Sequence, residues 1–210
     1  MRDKLATVCP KVILKSLAHF FRAEGIIDRK TMMLPELFVD NWARRIDMAL
    51  IGPEFHAIEI KSARDNLDRL EGQVETMRRL FNKVTVCVAS KHLSGLDTLD
   101  PHVGIIEALD TNNGIAFRIH RQATHTEISD RRGLVHFLAR PDIEAALKGA
   151  GVAVPARTFI YPLRDMAEKL PVEVLMDAAI SSLKRRFAPK SRQTRRRLLY
   201  GQPELFVQLQ

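Results

Sequence analysis

Cysteine is scarce in this chain. Cys9 and Cys87 are its two cysteines in 210 residues, too few for a disulfide framework and wrongly spaced for a metal knuckle. Both read as buried or free thiols in a reducing compartment, and no zinc site is expected. Long apolar runs are missing as well. No stretch approaches the roughly 20 apolar residues of a membrane span. The N-terminus MRDKLATVCPKVILK has neither the long apolar core nor the small-residue cleavage site of a signal peptide. Cytoplasmic residence without a membrane partner is therefore the expectation. There is no G-x-x-x-x-G-K-[ST] loop, so any ATP-driven partner would be a separate chain. The seven histidines form no spaced pair resembling a ligand set.

Acidic residues are absent from one segment. KRRFAPKSRQTRRR contains Lys184, Arg185, Arg186, Lys190, Arg192, Arg195, Arg196 and Arg197 and no acid, a basic excess equal to the whole net charge of +8. The rest of the chain is balanced. Arginine-rich segments neutralise phosphates and release counterions, so this one suits a polyanion. A solvated tail is the plainer alternative. With 46% hydrophobic and 28% charged residues, the chain has enough apolar material for a real core, in one domain or one domain plus an extension.

Apolar residues Val12, Ile13, Leu17, Phe20 and Phe21 are spaced for a helix over Lys11 to Ala23, with Gly25 as its stop. From Thr31 to Arg45 the pattern of Leu34, Leu37, Phe38, Val39 and Trp42 fits either a short helix or an extended segment. Ile46 to Ile51 and Phe55 to Lys61 are rich in β-branched and apolar residues and flank a Gly52-Pro53-Glu54 turn, which reads as a β-hairpin. Asp65 to Phe81 sets Leu67, Leu70, Val74, Met77, Leu80 and Phe81 on one helical stripe. Val84 to Ala89 and Gly104 to Leu109 read as strands buried on both faces, and Gly114 to His120 as one more strand. Helices are expected near Pro141 to Leu147, Leu163 to Leu170 and Val172 to Phe187. The fold class is α/β: a mixed central sheet flanked by helices over residues 1–140, then a helical, basic C-terminal extension over residues 141–210. The stretch from Gly149 to Pro155 has linker composition in that region.

Charged residues inside two strands this apolar need a reason, because burying them costs free energy unless they are paired or used. The hairpin turn brings Asp47 back toward Glu59 and Lys61, and the latter two, spaced by two, project from one strand face. Asp47, Glu59 and the backbone carbonyl of Ile60 are an oxygen set suited to Mg²⁺ or Mn²⁺. The Lys61 ammonium suits orienting a water or offsetting phosphate charge. His56 alternates away from this face. Alone, E-x-K in a strand is commonplace, and an aspartate near a turn is usually a surface or capping residue.

In this context Asp47 and Glu59-Ile60-Lys61 resemble the motif of the PD-(D/E)XK nuclease-like superfamily. More narrowly, RIDMALI followed by EIKSARDNLDRLEGQVETMRRLFNKVTVCV is similar to a bacterial and phage branch, the sce-type family, over roughly Glu36 to Val88. Ile46 stands where the superfamily's name has proline. The resemblance implies a restriction-endonuclease-like core, metal ligation by Asp47 and Glu59, and catalytic assistance by Lys61. It also implies an upstream acid, which Glu36 fits, and a helix glutamine near phosphate or water, which Gln73 fits. An exposed glutamate and a boundary polar residue are the alternatives for these two. Ser62 or Asp65 is read as a helix cap. Arg69 contacts a phosphate or pairs with Asp65.

The leading functional expectation is a metal-dependent phosphodiesterase acting on nucleic acid, DNA before RNA. Its catalytic set is Asp47, Glu59, Lys61, Gln73 and Glu36, and Arg69 with the basic residues from Arg185 to Arg197 contacts the substrate. A homodimer or a separate partner protein is compatible with this reading. The alternative is a non-catalytic nucleic-acid-binding protein, or a phage or mobile-element regulatory protein, on a nuclease-like fold.

Overall fold

A computed structural model describes residues 10–28, 30–39, 44–112 and 114–187. The elements run α1 (Pro10–Ala23), β1 (Met32–Val39), β2 (Arg44–Ile51), β3 (Phe55–Lys61), α2 (Leu70–Leu80), β4 (Lys83–Ala89), β5 (Gly104–Thr111), β6 (Gly114–Arg121), α3 (Arg131–His136), α4 (Arg140–Gly149), α5 (Ile160–Ala167) and α6 (Val172–Phe187). A 3₁₀ turn covers Ser90–Gly95. The strands form one six-stranded sheet in sequence order. Pairings β1·β2, β2·β3 and β5·β6 are antiparallel, while β3·β4 and β4·β5 are parallel. The expected α/β architecture, a mixed sheet flanked by helices, is present.

The sheet is covered on both sides, which is why its central strands read as unbroken apolar runs. Alternation along each strand divides their side chains between two clusters. Met48, Leu50, Ile58, Ile60, Cys87 and Ile106 face α1, where Ile13, Leu17 and Phe21 are buried. Ala57, Val84, Val86 and Val88 face the other way, onto Leu70, Val74, Met77 and Leu80 of α2. Ile143, Leu147, Leu163, Leu175, Ala179 and Leu183 of the three C-terminal helices join that same second cluster. Cys87 is a buried free thiol whose pKa burial pushes up, so it behaves as a small hydrophobe; Cys9 lies outside the described residues.

The segment whose period was ambiguous is the edge strand β1. Leu34 and Leu37, three apart, are both buried in the same cluster, which a regular strand forbids. Glu36 resolves this. Its φ of 53° breaks the alternation, and the pairing to β2 passes from Pro35↔Met48 to Leu37↔Ile46 without it. The helix expected from Asp65 begins at Leu70, with Arg69 as N-cap and no side-chain cap. Neither Ser62 nor Asp65 caps it, because both precede the N-cap position; Asp65 Oδ2 instead accepts the Ser62 N–H at 2.8 Å and the Ser62 hydroxyl at 2.6 Å. The short α3 had no sequence expectation. Asp130 caps it by accepting the Gly133 N–H at 2.8 Å, and a Cβ at Gly133 would collide with Leu80 of α2.

Phe55 is fully buried, with ring centroids 6.2 Å from Phe81 and 6.5 Å from Phe137, and so ties β3 to the end of α2 and to the segment after α3. Phe55→Ala is expected to cost about 3–5 kcal/mol, measured by urea unfolding. A loss below about 1 kcal/mol would contradict this packing role.

Candidate active site

The site forms where β2 and β3 part. Their ladder ends at Met48↔Ile58. Beyond that point β2 stays paired with β1 through Ile46↔Leu37, and β3 stays paired with β4 through Lys61↔Val88. The Asp47 carboxylate bridges the fork, with Oδ2 accepting the Ile60 N–H at 2.8 Å. A side chain thus replaces a backbone carbonyl as the acceptor, and the buried amide stays satisfied.

Beside it, three side chains close a triangle. Lys61 Nζ donates to Glu59 Oε1 at 2.9 Å and to Gln73 Oε1 at 2.8 Å, while Gln73 Nε2 donates to the same Glu59 oxygen at 2.6 Å. The Glu59 and Lys61 side chains are only 5% and 12% exposed. Glu59 and Lys61 project from β3 toward α2, which presents Gln73 one turn into the helix. The loop after Lys61 is held by His92, whose Nε2 lies 3.0 Å from the Ser62 carbonyl.

Burial lifts the Asp47 carboxyl above its ordinary value, against the pull of the Ile60 N–H, Lys61 and Arg45; nearby Asp65 adds to the rise. Burial and then the negative charge of Asp47 lift Glu59, against Lys61 and Gln73. The two carboxylates therefore crowd one another, with Lys61 offsetting both and Arg45 offsetting Asp47. Asp47 Oδ1 and Glu59 Oε2 carry no hydrogen bond among the described residues. A cleft of about 10 Å³, lined by Arg44, Arg45, Glu59, Gln73 and Thr76 among others, has room for about one water-sized occupant. Among the described residues there is no group of three or more His, Cys, Asp or Glu side chains able to hold a metal.

The other expected residues are placed differently. Glu36 lies across from Asp47 in register but is exposed, in a 3.6 Å ion pair with Arg45, and is not in the triangle. Arg69 is exposed, and no ion pair with Asp65 is formed among the described residues; Asp65 turns back instead to accept from Ser62 through Oδ2. Arg185 pairs with Asp142, and Arg186 donates to the Phe137 carbonyl at 3.2 Å and covers the Phe187 ring. These two arginines are engaged within the chain. Lys190, Arg192, Arg195, Arg196 and Arg197 lie outside the described residues. Arg44 lines the cleft with Glu59 and Gln73 and was not singled out; the signal was the Arg44-Arg45 pair opening the strand of Asp47. His56 faces away, as expected, with its ring stacked on Phe21 of α1.

The protein is thus an α/β chain with an acid–lysine–glutamine cluster at a strand fork. It belongs to the family described as bacteriophage P4 protein cII, whose profile matches residues 10–203. Protein cII of Enterobacteria phage P4 is 27% identical over 193 residues, spanning 91% of this chain and 72% of that protein. Among solved structures, the SPO1766 protein of unknown function from Silicibacter pomeroyi aligns with a TM-score of 0.42 and 15% identity, over 88% of this chain and 96% of that one. Among the described residues no helix is long and apolar enough to cross a membrane.

Because the folded pKa values of Asp47 and Glu59 are raised, the native state holds protons that the unfolded chain has lost above about pH 4. Their contribution therefore declines as pH rises through the folded values. Asp47→Asn keeps an acceptor for Ile60 and removes the charge facing Glu59. Its stability relative to the parent is expected to rise from pH 4 toward 7, measured by urea unfolding, while a carboxyl NMR titration shows Glu59 moving down. A pH-independent difference would show that the two carboxylates do not interact.

Proposed function

We propose that the chain is a phage-type protein on a PD-(D/E)XK nuclease-like core that hydrolyses phosphodiesters of nucleic acid, DNA in the first instance. The observation that carries this reading is the assembly of Asp47, Glu59, Lys61 and Gln73 at one strand fork. Side chains from two strands and a helix converge there, and satisfying the Ile60 N–H accounts for Asp47 alone, not for the buried Glu59–Lys61–Gln73 triangle.

Asp47 Oδ1 and Glu59 Oε2, the carboxylate oxygens not engaged in the hydrogen bonds above, are the ones that would hold a cation. The Ile60 carbonyl faces the same opening, since the N–H and C=O of one strand residue point to the same neighbour. Two carboxylates and a carbonyl suit Mg²⁺ or Mn²⁺, which keeps several waters and rarely occupies an all-protein cage. That no group of three or more His, Cys, Asp or Glu side chains able to hold a metal is found among the described residues is compatible with that. Such an ion, when bound, supplies Lewis acidity toward the scissile phosphate. Lys61 has three ammonium donors and commits two to Glu59 and Gln73, which leaves the third for a phosphate oxygen or the attacking water. Gln73 fixes Lys61 and Glu59 relative to each other. Arg44 and Arg45 add positive charge beside the cleft, suited to the backbone of an incoming strand.

A second reading, a nucleic-acid-binding or regulatory protein without cleavage, is favoured by the match to the bacteriophage P4 protein cII family. One assay separates the two. Purified protein is incubated with linear, nicked, branched and single-stranded DNA and with RNA, in Mg²⁺, Mn²⁺ or EDTA. Metal-dependent cleavage that falls at least about 100-fold in Asp47→Asn and Lys61→Ala is expected. Cleavage retained by either variant would sink the assignment, and salt-sensitive binding without cleavage would establish the second reading.

A further inference from the structure

On the other face of the sheet, between the end of α1 and the β2–β3 turn, lies a cavity of about 470 Å³. That volume is within the range of small-molecule sites. Phe21, Ile27, Leu50 and Ile106 give it an apolar wall, and each is itself buried. Two buried polar residues interrupt that wall. His56, 9% exposed, has Nε2 2.8 Å from Thr85 Oγ1, and its Nδ1 carries no hydrogen bond among the described residues. With His56 lining the cavity and Nε2 held by Thr85, Nδ1 is the ring nitrogen left to hydrogen-bond an occupant. Burial holds the His56 pKa at about 4, so the ring is neutral at pH 7 and offers one hydrogen bond rather than a charge.

Three charged residues also line the cavity. Lys83 is neutralised by Glu54 at 2.5 Å. Arg121 is not neutralised: Nε donates to the Val103 carbonyl at 2.6 Å and NH2 to the Asp100 carbonyl at 3.1 Å. Both acceptors are uncharged, so the guanidinium is locked in place with its charge uncompensated among the described residues.

We propose that this cavity binds a small organic monoanion, with an apolar or aromatic body against Phe21, Leu50 and Ile106, a hydrogen bond to His56, and its carboxylate at Arg121. Arginine is the residue suited to planar carboxylates. The site is on the α1 side of the sheet, whereas Gln73 of α2 meets Glu59 and Lys61 on the other side. It is therefore independent of the proposed nuclease reading.

The test is a ¹H–¹⁵N NMR titration of the full chain with 1-naphthoate. Saturable shifts are expected at the amides around Ile27, His56, Thr85 and Arg121. Arg121→Gln is expected to weaken binding at least about tenfold, the loss of one hydrogen bond to a charged group. Ile119→Trp fills the cavity from a half-buried position while keeping Arg121, and is expected to abolish the shifts. The proposal is overturned if shifts do not saturate, if they map elsewhere, or if Arg121→Gln binds as the parent does. Should Arg121→Gln fail to fold, unchanged affinity in Ile119→Trp overturns it instead.

Discussion

The hydrogen bond from the Ile60 N–H to the Asp47 carboxylate is the constraint on which the rest of the site depends. Two antiparallel strands that part company inside a covered sheet leave backbone donors without partners, and such donors are expensive to bury. Asp47 resolves that problem with a side chain, and in doing so brings a carboxylate beside Glu59. The fork and the acidic pair are one feature seen from the backbone and from the side chains.

Charge then organises what surrounds the fork. Two desolvated carboxylates at close quarters oppose each other's ionisation, and Lys61 is the cation placed between strand and helix to relieve this. Gln73 matters because it is amphoteric in hydrogen bonding: its carbonyl accepts from Lys61 while its amide donates to Glu59. A helix on the sheet is thereby coupled to the strand by polar contacts.

The hairpin and the central strands were legible as apolar, β-branched runs, the hairpin also by its Gly52-Pro53-Glu54 turn, and α2 by its helical stripe of apolar residues. The acid–lysine pair was legible because charge inside so apolar a hairpin is anomalous. Gln73 was found only through a family resemblance, since three residues past Leu70 it looks like any boundary residue. β1 was obscured by a physical cause: one left-handed residue, Glu36, shifts the phase of burial and makes a strand imitate helical spacing. The Arg69–Asp65 pair failed for a different reason. Spacing says which side chains can meet, and not that Asp65 turns back onto Ser62. The counted charge of the basic segment was plain, but its outer residues lie beyond the described chain.

The irregularity in β1 bears on how copies of this protein meet. An edge strand exposes unpaired amides and carbonyls that invite another chain to extend the sheet. β1 carries Pro35, which has no N–H to offer, followed by Glu36 with φ of 53°. A second strand laid along that edge would meet a missing donor and then a change of pleat. The bend that sets Leu34 and Leu37 on the core therefore also blunts the edge against strand addition, so self-association through a continuous intermolecular sheet is discouraged on this side.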